Sequence, residues 1–506
     1  MTLARTWSVG LVGVQGAMVE IEVDLSSAVP QVVLVGLPDA VVRQSVDRVR
    51  AAITNAGASW PQRRITIGLS PASMPKQGSG FDLALAVGIL AAARTVPAAA
   101  VEDLVLLGEL GLDGSVRGIR GVLPSVLAAV RAGHGQVVVA PANADEASLV
   151  TGIEVLAPPT LTALVDHLTG GDRLHPHARG PLPPPKPGPD LGDVVGQASG
   201  RRAVEVAAAG GHHLFLTGPP GAGKTMLAER LPGLLPSLDD EAALEVTAIH
   251  SIAGTLPVGA PLITRPTFES PHHSASLAAL VGGGSGQIRP GAVCRAHLGV
   301  LFLDEAPEFP RSVLDTLRQP LEKGQVTIQR AAGSATFPCR AQLVLAANPC
   351  PCASAAGDTA CTCSALERRR YQSRLSGPLL DRIDLRVDLP PVTRATWLDG
   401  LGTPEPTATV AGRVATARAA AAERLRGSEL SLNAHVPGRL LRDRWPIPRT
   451  ALTLVERALE RGAISVRGFD RVLRVAWTLS DLAGRTVPGA DEVAEALGMR
   501  LQRAAA

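Results

Sequence analysis

Lysine is nearly absent from this 506-residue chain: there are four (Lys76, Lys186, Lys224 and Lys323) against 45 arginines. Such a skew reflects base composition, so a lysine retained inside a motif is informative. Aromatic residues make up only 3% and tyrosine occurs once, so the cores must be aliphatic and alanine-rich. No run of about 18 uncharged apolar residues occurs, which argues against a helical membrane span. Near the N-terminus Gly10, Gly13, Gly16 and Glu20 stand where a secretory signal needs an apolar core, so a cytoplasmic location is expected. All six cysteines fall between Cys294 and Cys363, which points to a local metal or redox feature instead of a disulfide framework. The net charge of +3 neither requires nor excludes a nucleic-acid partner; any basic surface must be local.

One lysine closes the run Gly218-Pro219-Pro220-Gly221-Ala222-Gly223-Lys224-Thr225. A short apolar stretch precedes it and a good helical start follows, which is the strand, loop and helix context of a phosphate-binding loop. The glycines let backbone N–H groups curl round a phosphate, and the helix end adds partial positive charge. Lys224 is expected to bridge the β- and γ-phosphates of ATP, with the Thr225 hydroxyl on Mg²⁺.

The length calls for several domains. The segment 174–190 has too many prolines to fold and reads as a semi-rigid linker. The expected division is residues 1–170, a linker at 171–190, an ATPase core at 191–392 and a helical unit at 393–506. In the first unit, strands are expected at 18–25, Gln31–Val35, 64–69 and Leu104–Leu107. Helices are expected at 40–56, from about 81, and at 124–132, giving an α/β or α+β fold. Beyond the linker, strands at Leu214–Thr217, 299–303, Gln342–Ala347 and 383–389 suit a parallel sheet. From 409 the pattern turns helical, at 410–426, 450–462, 469–482 and 491–500.

Three further positions suit hydrolysis. The apolar run ending in Asp304-Glu305 offers a magnesium-holding aspartate and a glutamate that polarises the attacking water. Asn348 ends the next apolar strand, where a neutral amide can orient that water. Arg382 lies far from its own phosphate loop and can act on a neighbouring subunit's nucleotide. Arg467, Arg471 and Arg474 open a later helix, and spacing does not fix which of them reaches the γ-phosphate.

These motifs and their order resemble the YifB/ComM-type magnesium chelatase-like AAA+ family, over almost the whole chain. The most specific parts are the segment from Glu269 through His272 and His273, that from Gly282 to Gly291 with Arg289, that from His297 to Glu305, and that from Arg374 to Asp384. The resemblance implies a P-loop AAA+ domain with a C-terminal helical lid, and a ring, usually a hexamer, with ATP at subunit interfaces. It makes Arg382 the trans-acting finger, Asn348 the first sensor and Arg467 the best candidate for the second. His272 and His273 fall in a loop insertion expected to face the pore.

The N-terminal unit resembles the Lon-protease-type domain, an α+β fold of the ribosomal S5 domain 2 kind. In the register of Pro75-Lys76-Gln77-Gly78-Ser79-Gly80, Gly80 takes the catalytic serine's place, and Leu123 takes the lysine's. Peptidase activity is therefore not expected, and the fold reads as a docking or ring-forming module.

Cys350, Cys352, Cys361 and Cys363 directly follow Asn348 and can close a structural Zn²⁺ site, the alternative being four free thiols. For the moved substrate the family suggests DNA, single-stranded or branched, in branch migration or recombination, with Arg289 on a pore loop gripping phosphates. Arg413, Arg418, Arg424 and Arg426 form a basic helical stretch that could add to that surface. Protein remodelling through the Lon-like unit is the alternative; insertion of a metal into a tetrapyrrole fits least.

Overall fold

Alternating apolar residues make the first structural unit. Strand Gln15–Ser26 buries Val19, Ile21, Val23 and Leu25, and folds back in an antiparallel hairpin on Leu3–Val12. This hairpin is central to a seven-stranded mixed sheet in the order Gln31–Val35, Arg64–Ser70, Gln15–Ser26, Leu3–Val12, Leu104–Leu107, Gln136–Val139, Glu154–Leu156. The computed structural model describes residues 3–180, 188–256, 259, 262–284, 288–330, 333–352, 361–392 and 404–501. Positions 181–187 of the expected linker, with Lys186, and 393–403 at the expected start of the helical unit lie outside them.

Leu104–Leu107 is covered on both faces, as its unbroken apolar run requires. Leu104 and Leu106 meet the helices Ala40–Asn55 and Asp82–Ala92, whereas Val105 and Leu107 meet Val122–Arg131. Helix Asp82–Ala92 is apolar all round beyond its first residue and buries every position, as a central helix must. Asp39 starts the neighbouring helix by accepting the Val42 N–H at 2.7 Å.

The second sheet is parallel, in the order Phe268–Glu269, Val300–Leu303, Gln342–Ala347, Leu214–Thr217, Leu385–Asp388. Leu214 and Leu216 face helix Ala198–Gly210 and a helical C-terminal region, and Phe215 faces the opposite core. That C-terminal region comprises Thr407–Arg424, Gly438–Arg444, Arg449–Glu460, Val466–Leu482 and Ala490–Gly498. Among the described residues no helix is long and apolar enough to cross a membrane.

The two sheets are joined through helix Asp240–Ala253. Its Ala248 belongs to the N-terminal core, the Ser251 hydroxyl donates to Glu146, and the Gly121 N–H donates to the Ser251 carbonyl at 3.3 Å.

The basic stretch expected to widen a nucleic-acid surface turns largely inward. Arg413 pairs with Glu205 and Glu405, and the Arg418 guanidinium donates to the Ala208 carbonyl at 2.9 Å. Arg424 pairs with Asp481 and lies 4.3 Å from the Trp477 ring centre. Only Arg426, paired with its helix neighbour Glu423, is exposed. Three of the four therefore hold the helices together and are unavailable to phosphates.

Candidate nucleotide site

The parallel strands place their polar ends along one edge, where open α/β sheets bind ligands. Strand Leu214–Thr217 runs into the loop 218–223, and Gly223 caps helix Lys224–Leu234. Gly221 and Gly223 have φ of 76° and 85°, the left-handed region that side chains avoid. A Cβ at either would meet nothing within 4 Å, so conformation sets the need for glycine and the space before the loop is open.

Lys224 is 9% exposed, and its ammonium donates to Gly218 O at 2.7 Å, Pro219 O at 3.0 Å and Asn348 Oδ1 at 3.0 Å. No carboxylate lies within ion-pair distance of it among the described residues. Burial pushes its pKa down, and Asp304 and Glu305 offset this only in part. A buried cation held by neutral acceptors beside an open cradle is matched by an incoming anion.

Asp304 follows strand Val300–Leu303, and its Oδ2 accepts from the Thr225 hydroxyl at 2.8 Å. Both expected magnesium ligands thus meet, although they are 79 residues apart. Asn348, after strand Gln342–Ala347, reaches Lys224 across 124 residues. The chain's single tyrosine, Tyr371, is buried beside the Asn348 backbone; burial first, then Glu308, pushes its phenol up to about 12.

Glu305 adopts φ 48° and ψ 42°, a left-handed conformation costing about 1–2 kcal/mol for a residue with a side chain. Its Oε2 lies 3.3 Å from Nδ1 of His273, whose ring is tilted by 35° against that of His272 with centroids 4.0 Å apart. The histidine pair, expected to face a pore, therefore has one member turned toward Glu305. The reason is local: the loop follows strand Phe268–Glu269, which pairs with Val300–Leu303, and Glu269 is fixed to Arg295 at 2.8 Å.

The arginines separate by partner. Arg382 engages Glu322 and the Pro378 carbonyl, and no phosphate-loop residue. Arg471 is locked to Asp384, and Arg474 donates to the Val436 carbonyl at 2.7 Å. Arg467 is exposed, with no partner among the described residues. Sequence reasoning missed Arg330. It ends the first of two antiparallel strands, Gln325–Arg330 and Gly333–Pro338, and its Nη2 lies 2.9 Å from where a Gly283 Cβ would be. Gly283 pairs with Arg289, so two strand pairs set both arginines next to the same glycine.

The four clustered cysteines bring all their sulfurs within 4.8 Å of one another. In the N-terminal unit, the Ser79 hydroxyl donates to Glu109, and the fully buried Lys76 donates to the Pro71 carbonyl. Leu123 is buried in the core on the other face of the sheet.

Residues 190–397 match the family described as "Magnesium chelatase, subunit ChlI", 21–143 match "Subunit ChlI of Mg-chelatase", and 404–500 match its C-terminal family. The uncharacterized protein Rv2897c of Mycobacterium tuberculosis is 55% identical over 99% of both chains. The competence protein ComM of Haemophilus influenzae is 40% identical over 99% of this chain and 98% of its own. YifB of Escherichia coli, an uncharacterized protein, is 39% identical over 99% and 97%. A shorter similarity, 29% over 132 residues, relates 26% of the chain to 23% of Lon protease 2 of Bacillus subtilis.

Proposed function

Because the chain belongs to the YifB/ComM-type magnesium chelatase-like family of AAA+ ATPase type, we propose that it is an ATP-hydrolysing ring motor acting on single-stranded or branched DNA. The observation that carries this reading is the convergence of Lys224, Thr225, Asp304 and Asn348 on one open glycine cradle.

The roles follow from chemistry. The loop N–H groups and Lys224 bind the β- and γ-phosphates of ATP, filling the place of the missing counter-charge. Thr225 and Asp304 are the residues that would hold Mg²⁺, which when bound neutralises developing phosphate charge. Glu305 accepts the proton of the attacking water, and Asn348 orients that water. Arg382, which bonds Glu322 and Pro378 and not its own phosphate loop, serves a neighbouring protomer's nucleotide in a hexameric ring. Arg467, the one of three candidates with no partner among the described residues, reports on the γ-phosphate from the helical lid. The division at 170, 190 and 392 belongs to the same reading, with the Lon-like unit serving as a dock without peptidase chemistry.

DNA as the moved polymer is supported by Arg289 and Arg330, which two strand pairs set next to the same glycine, and by the competence name of one relative. The cysteine cluster takes one structural Zn²⁺, because four thiolates close the shell and leave no position for substrate.

ATPase rate measured with and without single-stranded and branched DNA, at low and moderate salt, tests the reading. Stimulation that fades with salt is expected, and the double variant R289A/R330A should flatten the salt slope by about one per arginine. Failure to bind DNA at low salt, with no stimulation, would shift the assignment to a protein remodeller that recruits through its N-terminal unit.

A further inference from the structure

The sulfurs of Cys350 and Cys352 are 3.2 Å apart, those of Cys350 and Cys361 3.4 Å, and those of Cys352 and Cys361 3.6 Å. These are far beyond a disulfide's ~2.05 Å. They lie close to the ~3.8 Å edge of a sulfur tetrahedron around Zn²⁺ with bonds of ~2.3 Å. Eight residues separate Cys350 and Cys352 from Cys361 and Cys363 in the sequence, so an ion bound by all four ties two separate segments together.

Both ends of that closure lead to Asn348. On one side, Cys350 is two residues beyond it. On the other, Cys363 adjoins Ser364, which caps helix Ala365–Gln372 in a reciprocal pair with Glu367. The far end of this eight-residue helix returns to the start: Tyr371 lies beside the Asn348 backbone, and Gln372 Nε2 donates to Pro349 O at 3.5 Å. Just beyond, Arg374 donates to Glu308 Oε2 at 2.8 Å and to Pro307 O at 3.4 Å, gripping the turn that begins at Glu305. The electrostatics also fit. Four thiolates around Zn²⁺ leave a net −2, facing the positive end of the helix dipole and Arg368, whose Nε donates to Cys363 O at 3.3 Å.

We infer that the zinc site is a clip that positions Asn348: the metal at one end and Tyr371 at the other fix the strand terminus whose amide meets Lys224. This deepens the ATPase reading and rests on Asn348 acting there. The clip holds the reacting geometry and leaves nucleotide affinity to the glycine loop. Its loss therefore lowers kcat and spares binding.

The test uses the full chain, gently purified. Elemental analysis should find about one zinc per chain, and C352S, at an exposed ligand, should lose it. C352S should then hydrolyse ATP about tenfold or more slowly, as expected for a displaced catalytic group, with the Kd for a non-hydrolysable analogue within about twofold. Y371F should keep its zinc and still lose kcat, which a purely structural metal would not explain. Hydrogen exchange gives a readout independent of turnover, in which the peptide spanning 342–352 loses protection in C352S. Less than about half an equivalent of zinc in the wild type, or iron in its place, overturns the site. Zinc loss with unchanged exchange and kcat overturns the positioning role. A wild type with zinc but no turnover contradicts the ATPase reading alone, and exchange still decides whether the clip holds Asn348.

Discussion

Two buried lysines, Lys76 and Lys224, have been placed by one chain in opposite circumstances. Each follows or precedes glycines, each donates to backbone carbonyls, and burial lowers the pKa of each. Lys76 is sealed at 0% exposure against Pro71, and the nearby Ser79 hydroxyl is already committed to Glu109. Lys224 looks into open space beside Thr225, Asp304 and Asn348. Burial and a perturbed pKa are therefore poor markers of function by themselves. What separates the two is unfilled volume in front of the charge and a second set of polar groups aimed at it.

The largest effect should come from exchanging their fates. K224A should weaken ATP binding and lower kcat/KM by about 100-fold or more, since it removes the cation that the cradle holds among the described residues. K76M keeps the volume and removes a charge that burial disfavours, so hydrolysis should stay within about twofold and Tm should not fall. An ATPase lost in K76M, with the fold intact by circular dichroism, would break the comparison. Next, E305Q should bind ATP but hydrolyse it about 100-fold more slowly or worse, measured by analogue binding and phosphate release. A smaller effect belongs to His273. It occupies Glu305 Oε2 from a part-exposed position, and such pairs are worth less than about 1 kcal/mol. H273A should free the acceptor and raise basal kcat by no more than about fivefold; a fall would show the imidazole assisting the base.

The conformation of the glycine loop was legible because its information is local: glycine spacing, a preceding strand and a following helix all lie within 21 residues. The order of Asp304 and Asn348 after it was legible for the same reason, as apolar strands ending in polar residues. Contacts that join distant segments were not. Nothing in the spacing tied Asn348 to Lys224, turned His273 toward Glu305, or set Tyr371 behind Asn348. The strand Leu3–Val12 was missed because its Gly10, with Gly13 and Gly16 beyond it, was weighed against a signal peptide, while its pairing with Gln15–Ser26 depends on alternation across the turn. Strand Phe268–Glu269 is two residues long and carries no periodic signal at all. The basic helix misled because arginine in this chain serves internal ion pairs as readily as surfaces.

The central claim is that one protomer's Lys224 and its neighbour's Arg382 work on the same ATP. It is tested most directly by mixing two inactive chains. K224A and R382A should each fail to hydrolyse ATP alone, R382A by a factor on the order of 10³, while R382A still binds nucleotide. Co-assembled in equal amounts, they should regain a measurable fraction of wild-type turnover, because some interfaces then pair an intact Lys224 with an intact Arg382. Full activity of R382A by itself, or a co-assembled mixture as inactive as its parts, would contradict the account.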